Sequence, residues 1–83
     1  MQSEVNIMVT QSVNIDTLTK VRTLVSILNN YKGRFELISG TSSVNAKSVM
    51  GIFSLDISRP VLLNIYNEEC AKNVIAEIKE NIN

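Results

Sequence analysis

Hydrophobic and polar residues alternate at the start of the chain, where Val5, Ile7 and Val9 are set between Glu4, Asn6, Met8 and Thr10. A period of two predicts a strand with one face on a core. The alternation fails from Gln11 to Ile15, which reads as a loop, with Asn14 or Asp16 placed to cap a helix. Leu18, Val21, Val25 and Leu28 then recur every three or four residues, and Leu24 widens the stripe. That spacing predicts an amphipathic helix from about Asp16 to Asn30, ended by Asn29-Asn30 and Lys32-Gly33.

Phe35 and Leu37 restore the period of two, and Ser39-Gly40 supplies a turn into a second strand near Ser42 to Ala46. That strand is weak by propensity, because Val44 is its one strong strand former. Ser48 to Phe53 fits either a short helix or a strand, and Gly51 disfavours a long helix. Arg59-Pro60 marks a boundary before a clear strand, Val61 to Tyr66. Cys70, Val74, Ile78 and Ile82, joined by Ala71 and Ile75, describe a C-terminal helix with Glu68 and Glu69 in its favoured acidic first turn. The order predicts an α+β fold: an open-faced two-layer sandwich, a four-stranded antiparallel sheet with three helices on one side. Residues 1–83 make a single domain without repeats or linkers.

Composition narrows the chemistry. The 45% apolar content suits a globular chain, and so small a domain has no room for a large substrate chamber. Eight basic and eight acidic residues cancel, so nothing steers the chain toward nucleic acid or an anionic membrane. The charges are unevenly spread. Lys20, Arg22, Lys32, Arg34, Lys47 and Arg59 outnumber Glu36 and Asp56 in the middle, while the C-terminal helix is acidic. That asymmetry fits either solvated helix faces or a basic side, including Arg22 and Lys47, that meets an acidic protein partner. Cys70 is the only cysteine, so no internal disulfide forms and a buried thiol is expected. No sequence pattern for zinc or calcium is present, so no metal and no cofactor is expected. The N-terminus does not read as a signal peptide, no run is long enough to span a membrane, and the expected location is cytoplasmic. The chain contains no histidine, which removes histidine base catalysis, metal ligation and phosphotransfer.

The segment Val44-Asn45-Ala46-Lys47-Ser48-Val49-Met50-Gly51-Ile52-Phe53-Ser54-Leu55 resembles the regulatory segment of HPr, the histidine-containing phosphocarrier protein of the bacterial sugar phosphotransferase system. The predicted order of elements on either side is similar to that family over essentially the whole chain. The resemblance implies that Ser48 is the target of a regulatory serine kinase. It further implies that Met50, Ile52 and Phe53 belong to a hydrophobic contact patch. From the residues alone, Ser48 is equally an ordinary helix cap, and the apolar residues beside it are equally core. In the family, a histidine just before the first helix carries the phosphoryl group, with an arginine and a proline soon after. Ungapped alignment back from Ser48 puts Thr17 at the histidine position, with Thr19 and Lys20 where the arginine and proline would lie.

A threonine ester is too stable for onward phosphoryl transfer, and Asp16 stands in no activated setting. The resemblance therefore implies a non-catalytic, HPr-like adaptor that binds a protein partner such as an HPr-type serine kinase or a transcriptional regulator. Thr17, Lys20, Val21, Lys47, Ser48, Val49, Met50, Ile52 and Phe53 are its candidate contact residues. Two alternatives stay open: a phosphocarrier-like component of a variant sugar phosphotransferase system, and a vestigial structural domain. A nucleic-acid module lacks a basic groove with stacking aromatics, and an enzyme lacks a paired acid and base.

Overall fold

In the computed structural model, residues 8–82 are described. The chain runs β1 (Val9–Val13), α1 (Leu18–Leu28), β2 (Phe35–Ser39), β3 (Ser42–Asn45), α2 (Val49–Ile52), β4 (Val61–Ile65) and α3 (Glu68–Asn81). The four strands form one antiparallel sheet in the order β1-β4-β2-β3, which places β4 and β2 at its centre. This is the expected α+β open-faced sandwich.

The sheet has two unlike faces because alternate residues point to opposite sides. Phe35, Leu37, Val61, Leu63 and Ile65 are buried. They share one core with Val21, Leu24 and Leu28 of α1, Ile52 of α2, and Cys70, Ala71, Val74 and Ile78 of α3. Each fully buried Val, Leu or Ile of this set contributes roughly 1.5–3 kcal/mol through removal of apolar area from water. The opposite face carries a row that crosses all four strands in register: Thr10, Asn64, Glu36 and Asn45. Thr10 Oγ1 donates to Asn64 Oδ1 at 2.8 Å, and Tyr66 donates its hydroxyl to Glu36 at 2.8 Å. Arg34 pairs with Glu36 at 3.5 Å and lies over the Tyr66 ring. Asn64 is buried although it lies on this open side; the hydrogen bond from Thr10 satisfies its amide oxygen.

Several boundaries differ from the expected ones. Val5 and Ile7 lie outside the described residues. The expected loop from Gln11 to Ile15 is instead strand through Val13, where Gln11 stands opposite Leu63 and Val13 opposite Val61. The backbone ladder to β4 holds this rim strand extended even where the side-chain alternation weakens. Neither Asn14 nor Asp16 caps α1; Thr17 does. The weak strand β3 forms because the register Ser39↔Ser42 closes a two-residue turn, in which Gly40 takes φ 61°. The ambiguous segment after Ser48 is a short helix.

The open-face network generates a pH prediction. The Tyr66 hydroxyl, followed by the charge of Arg34 and further hydrogen bonds, holds the Glu36 carboxyl below its ordinary value. A depressed carboxyl contributes stability that is present above its unfolded-state value and is lost as pH falls through the folded one. Carbon-detected NMR titration should therefore find Glu36 protonating at lower pH than an ordinary glutamate, and Tyr66→Phe should move that titration upward. An unchanged Glu36 titration in the variant would contradict the assignment.

Candidate functional site

Two helix starts define the region the sequence singled out. At α1, Thr17 has extended φ and ψ of −133° and 157°, and its Oγ1 accepts a hydrogen bond from the Lys20 amide at 3.2 Å. The hydroxyl thereby satisfies one of the free donors of the first turn. Asp16 lies just ahead of it and pairs with the Lys20 ammonium at 3.2 Å. The Asp16 carboxylate thus stands before the first turn of α1, paired with a cation of that turn. Nothing here activates Thr17 as a nucleophile.

At α2, Ser48 has φ −104° and ψ 107°, and its Oγ accepts from the Gly51 amide at 3.0 Å. Gly51 permits that approach: a Cβ there would stand 3.1 Å from the Ser48 hydroxyl oxygen and 3.5 Å from the Val44 Cβ. Ser48 is half-buried, and its hydroxyl serves the fold as a cap. Met50 is 83% exposed, Phe53 46% and Leu18, the first residue of α1, 48%. The two helices carrying them pack against each other.

The candidate contact residues therefore divide. Val21 and Ile52 are fully buried and belong to the core, so neither offers contact surface. Both occupy the inward stripe of their helices, the position that helical spacing selects for packing. Val49 is partly buried and packs against the core. Thr17, Lys20, Ser48, Met50 and Phe53 reach solvent, wholly or in part. Leu18 was missed because it reads as the start of the buried stripe. The one signal for its exposure is its place directly after the capping threonine.

Half of the expected basic side is engaged within the domain, while Arg22, Lys32 and Arg59 stay exposed. Lys47 donates from Nζ to the Tyr31 carbonyl at 2.7 Å and lies 5.2 Å from the centre of the Phe35 ring. It thus brings a cation toward the C-terminal end of α1, whose last turn has no basic residue of its own. Lys20 is held by Asp16 and Arg34 by Glu36. Arg22 is exposed and makes no ion pair among the described residues. Tyr31 in turn donates its hydroxyl to Glu77, tying the loop after α1 to α3, and that bond raises the phenol above its ordinary value. Cys70 is buried, and desolvation, partly offset by a backbone hydrogen bond, pushes its thiol up, which disfavours the nucleophilic thiolate. Among the described residues no group of three or more histidine, cysteine, aspartate or glutamate side chains could hold a metal ion. No helix among them is long and apolar enough to cross a membrane.

The four-stranded antiparallel sheet in the order β1-β4-β2-β3, with three helices packed on it, is the fold of the HPr phosphocarrier proteins. The chain is similar to a phosphocarrier protein HPr from Bacillus anthracis str. Ames, with a TM-score of 0.73 and 21% identity over 94% of this chain and 100% of that one. It is similar also to HPr-C-His from Thermoanaerobacter tengcongensis, with a TM-score of 0.68 and 22% identity over 92% of this chain and 90% of that one. At such identities the likeness establishes the fold. No protein-family model matches the sequence, and no curated protein does.

Two substitutions test the geometry. Ser48→Ala removes the cap of α2 and should lower unfolding free energy by about 1 kcal/mol in a denaturant titration. Lys47→Met keeps a side chain of similar length but leaves the Tyr31 carbonyl without its donor and the Phe35 ring without its cation, and should cost about 1–3 kcal/mol in the same titration. A neutral Lys47→Met would show that the ammonium does not secure the end of α1.

Proposed function

We propose that this protein is a non-catalytic, HPr-like adaptor that docks on a protein partner and is regulated by phosphorylation at Ser48. The observation that carries this reading is the contrast between the two capped helices. At α1 the position corresponding to the carrier histidine holds Thr17, whose hydroxyl caps the helix beside the Asp16–Lys20 pair. At α2 the serine is present, half-buried, and followed by Met50 and Phe53 in exposed positions.

Carrier chemistry needs a phosphoryl acceptor that gives up its load as readily as it takes it. A threonine ester does not, and no imidazole exists anywhere in the chain. Regulation asks less: a phosphate on Ser48 needs only room and nearby donors. It would exchange the neutral hydroxyl cap for a group of about −1.5 to −2 charge at the same backbone N–H groups. It would also set that charge two residues from Met50, changing an apolar contact surface into an anionic one. Docking rests mainly on Leu18, Met50 and Phe53, because Lys20 is paired with Asp16 at the surface and Lys47 with the Tyr31 carbonyl. The partner is accordingly a protein with an apolar contact site, such as an HPr-type serine kinase or a transcriptional regulator, acting in the cytoplasm.

The reading separates from a phosphocarrier role in one experiment. Incubation with the general phosphotransferase enzyme and phosphoenolpyruvate should leave the protein unlabelled. Incubation with an HPr-type serine kinase and ATP should add one phosphate at Ser48, and none in Ser48→Ala. Label from phosphoenolpyruvate at Asp16 or Thr17 would overturn the reading in favour of a carrier. Absence of kinase label would remove regulation at Ser48.

A further inference from the structure

The sulfur atoms of the described residues sit in three different settings. Cys70 is buried at the start of α3 with its thiol pushed up. Met8 stands just before β1 and is 45% exposed. Met50 is 83% exposed, the most exposed large apolar residue of the described set. It lies on α2 between the Ser48 cap and Phe53, and it is not part of the core or of the partly buried shell around it. A thioether in that position contributes little to packing. It is nevertheless held at a fixed place by a helix whose inward residue, Ile52, is fully buried.

We infer that Met50 is a site of reversible oxidation by hydroperoxides, and that its sulfoxide disables the apolar contact surface while the fold persists. The selectivity follows from access: the cysteine is shielded and mostly protonated, and Met8 is about half as exposed as Met50. In the reaction the Met50 sulfur attacks one peroxide oxygen. The O–O bond breaks, an S–O bond forms, sulfur gives up two electrons, and the other oxygen leaves as water or an alcohol. The product exchanges a soft apolar tip for a strongly polar S=O group. That group lands between the regulatory serine and Phe53 in the sequence of α2, beside the one other exposed apolar side chain of that segment. A thiol-dependent sulfoxide reductase reverses the change by taking the oxygen back off sulfur as water.

The functional consequence rests on the docking reading above, but the modification and its effect on the surface are measurable without any partner. The full chain is treated with limiting hydrogen peroxide, digested and mapped by mass spectrometry. In parallel, intact protein is run on a phenyl hydrophobic-interaction column and melted by circular dichroism. Met50 should oxidise roughly twofold or more faster than Met8, in line with their exposures. The singly oxidised protein should elute earlier from the column at an unchanged melting temperature. Met50→Leu, which preserves the apolar surface, should elute late with or without peroxide. Oxidation of Met8 ahead of Met50, unchanged retention after Met50 oxidises, or a lowered melting temperature would each overturn the inference. If these results hold while kinase labelling of Ser48 fails, the oxidation site stands and the regulatory reading falls.

Discussion

Burial of one face of the β4–β2 pair beneath three helices is the constraint on which the rest of the structure depends. Phe35, Leu37, Val61, Leu63 and Ile65 cannot be covered by the strands themselves, so α1, α2 and α3 must each turn an apolar side toward the sheet. That requirement fixes which residues of each helix are unavailable to anything else. Val21 on α1 and Ile52 on α2 are spent this way. The exposed apolar residues left on the two helices are Leu18, Met50 and Phe53, with the half-buried Ser48 at the start of α2.

The polar groups follow from the same arrangement. A helix laid on a sheet leaves its first amides without partners, and in both α1 and α2 a side-chain hydroxyl takes up one of them. The two caps are similar in geometry and differ in surroundings. Thr17 has Asp16 beside it, already paired with Lys20. Ser48 has Gly51 beneath it and exposed apolar side chains after it. Lys47, adjacent to Ser48 in sequence, supports the end of α1 through the Tyr31 carbonyl. It holds the layers together and is not a free docking charge.

Much of this was legible in the residue pattern, because the elements with strong periodicity are those with a buried face. The stripe of α3 and the alternation of Val61 to Ile65 name core residues closely, whereas α1 also buries Ile27 and leaves Leu18 exposed. The pattern failed where backbone pairing or polar partners decide instead. Gln11 interrupts the alternation yet lies within β1, held by its register with Leu63. Asn64 is buried on the open face, where Thr10 and the neighbouring Glu36–Tyr66 pair surround it. Helical spacing could not tell Val21 from Leu18 as contact residues, because both fall on one stripe and only the first lies under the layer. Charge counting could not show that Lys47 turns to the Tyr31 carbonyl, whereas the Asp16–Lys20 and Arg34–Glu36 pairs join residues four and two apart in the sequence.

Recognition through the two helix starts, without transfer of phosphate, is the central claim, and an amide chemical-shift map tests it most directly. Isotope-labelled protein would be titrated with an unlabelled HPr-type serine kinase in the absence of nucleotide. The account predicts perturbations concentrated at Thr17, Leu18, Ser48, Met50 and Phe53, with Leu62 and Tyr66 on the open face of the sheet unmoved. A map centred on the open face, or no perturbation at saturating kinase, would contradict it.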